Sequence, residues 1–316
     1  MIALFLFGGF ALLLLGGELL VKGSVAIAKK LRVSKVIIGL TLVAFATSAP
    51  ELLVSVIAAI RGKSDIALGN VIGSNIANVG LILGSTALLF KLQADLKTYV
   101  NDWLFLLLSN TLLAAFLFLG GISTIQGGLL VLLLIGYNVF QIRKAKKNQA
   151  EYAESDDSLL EGDSSKPFFV SLLLVVLGAL GLKFGAQLFV DGISAVALSF
   201  GWTERFVSVT MVAFGTSVPE LAASITAARK GESDIAVGNI IGSNIFNILS
   251  VLGFTALIQP ITLQDMALFR VDFHVSVFFT LLIIPLMAVF TRGKLGRVEG
   301  ALLLGFYLIF VSSFVF

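Results

Sequence analysis

Long apolar runs separated by short polar stretches recur along the whole of this 316-residue chain. Each run is about 17–25 residues, the length a helix needs to cross a bilayer. The runs centre near residues 12, 47, 77, 109 and 133, and again near 179, 216, 246, 280 and 306. The pattern predicts an all-α integral membrane protein with ten transmembrane helices, five in each half. Residues 41–84 read TLVAFATSAPELLVSVIAAIRGKSDIALGNVIGSNIANVGLILG, and the stretch returns 169 positions later, at 210–253, with 27 of 44 positions identical and no gap. Most of residues 1–147 can be laid on 170–316 at that constant offset, and the glycine pattern around Gly23 matches that around Gly192.

Five spans per half is an odd number, so the second half must cross in the opposite sense. That is an inverted-topology repeat, an arrangement of secondary transporters whose binding site lies near the membrane midplane between the halves. The expected organisation is a first five-helix repeat over 1–142, a linker over 143–167 and a second repeat over 168–316. Lysine and arginine set the orientation. Seventeen fall in one set of loops and four in the other, with Lys183 inside a span. The bias puts the richer set in the cytoplasm and both termini outside, in a multi-pass protein of the plasma membrane. The first span follows no basic region and no small-residue cleavage site, so it reads as a retained helix.

Composition agrees with a bilayer environment and removes several chemistries. The hydrophobic fraction is 58%, the charged fraction 13% and the mean hydropathy +1.02, outside the range of soluble domains. With no cysteine and a single histidine, His274, thiolate chemistry and multi-histidine metal centres are excluded. The chain has no GxSxG serine elbow and no HExxH motif, so no enzyme is expected. The net charge of +3 belongs to cytoplasmic loops and implies no nucleic-acid partner. Residues 143–166 run from a basic cluster into Glu151, Glu154, Asp156, Asp157, Glu161 and Asp163. These acids lack the glycine-turned spacing of a calcium loop, so the segment reads as a flexible, solvated tether and not a calcium sensor.

The chemistry concentrates in the repeated stretch. Each copy places one glutamate, Glu51 or Glu220, in an otherwise apolar span. A carboxylate at a helix centre costs roughly 3 kcal/mol or more, and no lysine or arginine lies at a spacing within the stretch that would pair it. Pro50 and Pro219 each precede a glutamate and are expected to break both helices, freeing carbonyls near Ala44 and Ala213 to line a cavity. Thr47, Ser48, Thr216 and Ser217 add hydroxyls one turn before the glutamates. Ser74, Asn75 and Asn78, with Ser243, Asn244 and Asn247, sit three to four apart on one face of the next helix. For Asn75 and Asn244, helix–helix hydrogen bonding and ion coordination stand equal. For Ser74, Ser243, Asn78 and Asn247, coordination or support of the glutamates is the reading. Gly69, Gly73, Gly238 and Gly242 read as close-packing positions. The donors are hard oxygens, suited to sodium or calcium and not to a transition metal. Glu18 and Lys22 have an i,i+4 spacing and read as an interfacial pair.

The paired TSAPE/TSVPE and GSNIAN/GSNIFN motifs resemble the two alpha-repeats of the cation/calcium antiporter superfamily, above all the prokaryotic sodium/calcium exchangers. The resemblance implies calcium bound by Glu51 and Glu220 with Thr47 and Thr216. It implies sodium sites built from Ala44, Thr47, Ser48, Glu51, Ser74, Ala213, Thr216, Ser217, Glu220 and Ser243. It also implies that the first and sixth spans slide past a rigid core. Some members of the superfamily carry aspartate where this chain has Asn247, so here the site holds two formal negative charges and argues against potassium co-transport. The expected activity is antiport of calcium against sodium by alternating access, in a protein that acts as a monomer without cofactors. Protons could neutralise the carboxylates instead, which leaves a calcium/proton antiporter as the alternative and a cation channel as a more distant one.

Overall fold

The computed structural model describes residues 2–93, 96–155, 167–199, 204–289 and 294–313. Helix α1 spans Ile2–Leu31. The next span is a bent pair, α2 over Lys35–Thr47 and α3 over Ala49–Ile60, which meet at 44°. Then follow α4 (Ser64–Leu89), α5 (Leu96–Phe118) and α6 (Thr124–Ser155). The second half repeats the order with α7 (Phe168–Ser199), α8 (Glu204–Arg229), α9 (Ser233–Ile258), α10 (Leu268–Ala288) and α11 (Arg297–Ser312). The chain is all-helical apart from four two-residue strands. Leu92–Gln93 (β1) pairs with Lys294–Leu295 (β4), and Gly121–Ile122 (β2) with Ile261–Thr262 (β3). Each ladder joins a loop of one half to a loop of the other, so the two halves interlock.

Among the described residues, seven helices are long and apolar enough to cross a membrane, and the bent α2–α3 pair makes eight. The expected ten is not reached on that measure. Helix α11 has 16 residues and is therefore about 24 Å long, short of a full hydrocarbon core. Helix α8 has 26 residues, long enough to cross. Large apolar side chains such as Phe7, Leu15, Phe118, Ile125 and Phe169 face outward, as a lipid-exposed surface requires. Helix α6 runs on through the expected linker as far as Ser155, so the first half of that segment is helical and not a loose tether. The acids from Asp156 to Asp163 lie outside the described residues.

Two glycine series bring α1 and α7 together. Gly9, Gly16 and Gly23 recur every seventh residue on α1, as Gly178, Gly185 and Gly192 do on α7. A Cβ on Gly16 would stand 2.6 Å from the Leu182 nitrogen, and one on Gly23 2.7 Å from the Ser171 oxygen. Backbones this close leave no room for a side chain, which is how small residues drive helix association in lipid. Gly9 meets Phe189, Gly16 meets Leu182 and Gly23 meets Val175, so the two helices run antiparallel. The same device seats α9 on α2, where a Cβ on Gly242 would be 2.6 Å from the Leu40 oxygen and one on Gly238 3.0 Å from that of Val36. The residues that the matching Gly69 and Gly73 of the first copy would meet, near 205–213, lie outside those whose side chains are described.

The expected break at the prolines is found in one repeat only. Ser48 leaves the helix at φ −84° and ψ 3°, and α3 restarts at Ala49 with Pro50 in its first turn. Pro219 instead lies inside the continuous helix α8. A proline removes one ladder donor and crowds the carbonyl a turn before it, which bends a helix and need not sever it when the flanks are held. The Ala44 carbonyl is not freed either, because it accepts the Ser48 N–H at 2.9 Å. Glu18 does not pair within its own helix. Its carboxylate binds Arg229 at 2.5 Å and Lys230 at 2.6 Å, at the end of α8.

Gly16→Ala should destabilise the protein by about 1–3 kcal/mol through forced separation of α1 and α7. Gly8→Ala, with nothing within 4 Å of the new Cβ, should not. Thermal unfolding in one detergent compares them, and equal midpoints would show that the α1–α7 contact is not close-packed.

Candidate functional site

The repeated stretch folds into the centre of the molecule. Glu51 stands in the first turn of α3, just past the bend, and Glu220 in α8 one residue past Pro219. Both are 1% exposed, and neither has a basic side chain within ion-pair distance among the described residues. The hydroxyl of Ser48, one turn before Glu51, reaches Glu220 Oε1 at 3.3 Å, which brings the two carboxyl groups into one region. No group of three or more acidic or histidine side chains converges among the described residues. The site is therefore a pair of carboxylates set among neutral oxygens.

Those oxygens come from both halves, in matched exchange. The Ser48 hydroxyl donates to Glu220 Oε1 at 3.3 Å, and the Thr47 hydroxyl also faces Glu220. Across the pseudo-symmetry, the Thr216 hydroxyl faces Glu51. Thr47 Oγ1 lies 3.4 Å from Ser243 Oγ and donates to the Ala44 carbonyl at 3.3 Å. Thus Ala44, Thr47, Ser48, Glu220 and Ser243 form one connected group, and Glu51 and Thr216 adjoin it. Ala213 lies in α8, but its surroundings are outside the described residues.

Several buried oxygens in this region have no hydrogen-bond partner: Glu51 Oε2, Glu220 Oε2, Ser74 Oγ and Ser217 Oγ. Buried polar atoms are normally satisfied, and each exception calls for an explanation. A bound cation is one, since it would take up acceptor lone pairs that no donor fills. Beside Ser48, between Phe45, Leu52, Phe246 and Ser250, the cavity is about 10 Å³, room for a single water-sized particle. The larger cavities lie elsewhere, including one of about 520 Å³ between α5 and α6.

Helices α4 and α9 cross at their asparagines. Asn78 Nδ2 donates to Asn244 Oδ1 at 2.9 Å, and Asn247 Nδ2 donates to Asn75 Oδ1 at 3.0 Å. Asn244 Nδ2 also reaches the Asn75 carbonyl at 3.4 Å. Asn75 and Asn244 are thus engaged in joining the repeats. Asn78 and Asn247 give their amide groups to the same network, while their Oδ1 atoms stay unpartnered. Both begin π-helical turns, over Asn78–Leu83 and Asn247–Leu252, a departure from regular helix that is frequent at functional sites.

Two contributors were not foreseen from the sequence, Asn70 and Asn239. Asn70 donates to the Glu51 carbonyl at 3.2 Å and to Ser55 Oγ at 3.0 Å, and accepts from Thr216 at 3.4 Å. Asn239 accepts from Thr47 at 3.2 Å and donates to Ser224 Oγ at 3.2 Å. Their signal was present: each lies four residues before Ser74 or Ser243, on the same helical face, and is identical in both copies.

Two buried carboxylates without a basic partner among the described residues, in a chain of apolar helices, fit a membrane ion carrier. Residues 1–143 and 170–316 match the model of the sodium/calcium exchanger protein family, and the chain belongs to that family. It is 38% identical over 307 residues to the putative antiporter CaxA of Alkalimonas amylolytica, covering 95% of this chain and 94% of that protein. It is 36% identical over 336 residues to the sodium/calcium exchanger MaX1 of Methanosarcina acetivorans, covering 96% and 95%. Among solved structures, the sodium-calcium exchanger NCX_Mj soaked with sodium and calcium superposes with a TM-score of 0.79 at 33% identity, covering 98% of this chain and 97% of that one.

Ser74→Ala and Ser217→Ala remove hydroxyls that bond to nothing, so without sodium and calcium their thermal midpoints should equal or exceed that of the wild type. Asn75→Ala strips the cross-repeat bond that Asn247 Nδ2 donates to Asn75 Oδ1 and should cost about 1–3 kcal/mol. Serine variants as unstable as the asparagine variant would show that those hydroxyls have structural partners.

Proposed function

We propose that this protein is a secondary active antiporter that exchanges calcium for sodium across the membrane by alternating access. The observation that carries the reading is the pair Glu51 and Glu220, buried together without a basic partner and with one oxygen of each unsatisfied. Calcium is held by the two carboxylates with oxygens of Thr47 and Thr216. Sodium takes overlapping sites that add Ala44, Ser48, Ser74, Ala213, Ser217 and Ser243. The unpartnered Oδ1 atoms of Asn78 and Asn247 support a place for them at the edge of these sites.

Charge explains why the ions are exchanged and do not leak. An empty site leaves two buried carboxylates facing one another, which makes crossing between faces costly. One calcium ion neutralises both, and sodium does so only with two ions or more. The protein therefore changes face only when loaded. A third sodium would move net charge, with about 2.3 kcal/mol available per charge for each 100 mV. The buried pair and the exchanger family match favour a carrier over a channel.

The same reading makes the fold ten membrane crossings in two inverted repeats, 1–142 and 168–316, with α11 and α8 completing the set. The excess of basic residues places the 143–167 connection in the cytoplasm and both termini outside, in the plasma membrane. Helices α1 and α7, seated on each other through their glycines, are the pair that moves past the core. Its partners are the two ions and the lipid bilayer, and the working unit is the single chain.

The test is radioactive calcium uptake into sodium-loaded proteoliposomes with pH clamped. Uptake should require the sodium gradient, and Glu51→Gln or Glu220→Gln should each abolish it in a folded protein. Uptake that ignores sodium and follows a proton gradient would replace sodium with protons as the counter-ion.

A further inference from the structure

We propose that Asn70 and Asn239 are positioning residues that turn the hydroxyl hydrogens of Thr216 and Thr47 away from the cation. The proposal rests on the reading of the site as a calcium and sodium site. It names how two of the ligands are made ready.

A threonine hydroxyl carries one hydrogen and two lone pairs. It can ligate a cation only when that hydrogen points elsewhere. The Thr47 hydroxyl faces the Glu220 carboxylate and the Thr216 hydroxyl faces that of Glu51. Those are the carboxylates an arriving cation will occupy. A hydrogen left between hydroxyl and cation would repel it, so each threonine needs a second acceptor on the far side. Asn239 Oδ1 stands 3.2 Å from Thr47 Oγ1, and Asn70 Oδ1 stands 3.4 Å from Thr216 Oγ1.

The amides are held in the orientation this requires. Asn70 Nδ2 points at the Glu51 carbonyl, which can only accept, and at Ser55 Oγ. Its oxygen is thereby turned to Thr216. Asn239 Nδ2 is tied to Ser224 Oγ in the mirrored way. Both asparagines are buried, at 7% and 0% exposure, so no solvent acceptor competes. The carbonyls of Val43 and Ala44 also lie within reach of the Thr47 hydroxyl, at 3.2 and 3.3 Å. Ala44 is itself a proposed ligand, which makes its carbonyl a poor resting place for the hydrogen once an ion is bound. In both halves the asparagine comes from the repeat opposite to the threonine it serves. Each threonine is thus ready only when the two repeats are in register.

A double-mutant cycle separates this role from mere packing. Equilibrium calcium binding is measured on purified full-length protein for Asn239→Ala, Thr47→Val and their combination. Asn239→Ala should weaken calcium binding about five- to tenfold, the loss expected of one hydrogen bond, but less than about twofold once Thr47 is valine. In a Thr216→Val background, Asn239→Ala should keep its full effect. Asn70→Ala paired with Thr216→Val gives the mirrored cycle and reads the same interaction if Thr47→Val binds too weakly to titrate. Equal losses in every background would overturn the proposal and leave the site assignment standing. A wild-type protein that binds no calcium would overturn both.

Discussion

Two carboxylates buried in the middle of a membrane protein, with no cation of the protein's own to balance them, are the constraint around which this structure is built. Water would solvate them and a lysine would neutralise them, but Glu51 and Glu220 are buried from solvent and no basic side chain among the described residues pairs with either. Removing a charge from water costs several kcal/mol unless it is paired. The surrounding structure has to hold that arrangement in place without relieving it. The asparagines of α4 and α9 do so at the crossing point, where four side chains exchange hydrogen bonds between the repeats. The glycine contacts of α9 on α2 hold the backbone of the bent span against the same core. The unsatisfied charge is thereby kept available for an ion that comes and goes.

Duplication supplies the pairing and its exceptions are informative. Thr47 with Asn239 mirrors Thr216 with Asn70, and Asn78 with Asn244 mirrors Asn247 with Asn75. The helices that carry the glutamates are not mirror copies in detail. The first is broken at Ser48 and the second runs unbroken through Pro219. Charges outside the site differ too. Glu18 of α1 binds Arg229 and Lys230 at the end of α8, whereas the position matching Glu18 in the second half is Gln187.

The carboxylates were legible in the sequence because an acid in an apolar span, repeated at a fixed offset, has no structural excuse. The hydroxyls beside them were legible for the same reason. Asn70 and Asn239 were not, because each follows a glycine in a segment that reads as helix packing. Their partners also lie 146 and 192 residues away, beyond any local spacing rule. Glu18 was misread in the same way: Lys22 is at the right helical interval, yet the cations that bind it are on another helix. The proline rule named the break at Ser48, but not the continuity of α8 through Pro219 nor the Ala44 carbonyl that stays bonded to the Ser48 N–H. The charged segment after residue 143 looked like a tether by composition, and helix α6 nonetheless extends to Ser155.

The account stands on neutralisation of two buried charges by whichever ion is carried. Calcium binding measured at equilibrium against rising sodium concentration addresses this most directly. The account predicts mutual exclusion, with calcium displaced more steeply than in proportion to sodium, because several sodium ions must replace one calcium. Calcium binding that sodium leaves untouched, or that a single sodium ion suffices to displace, would contradict it.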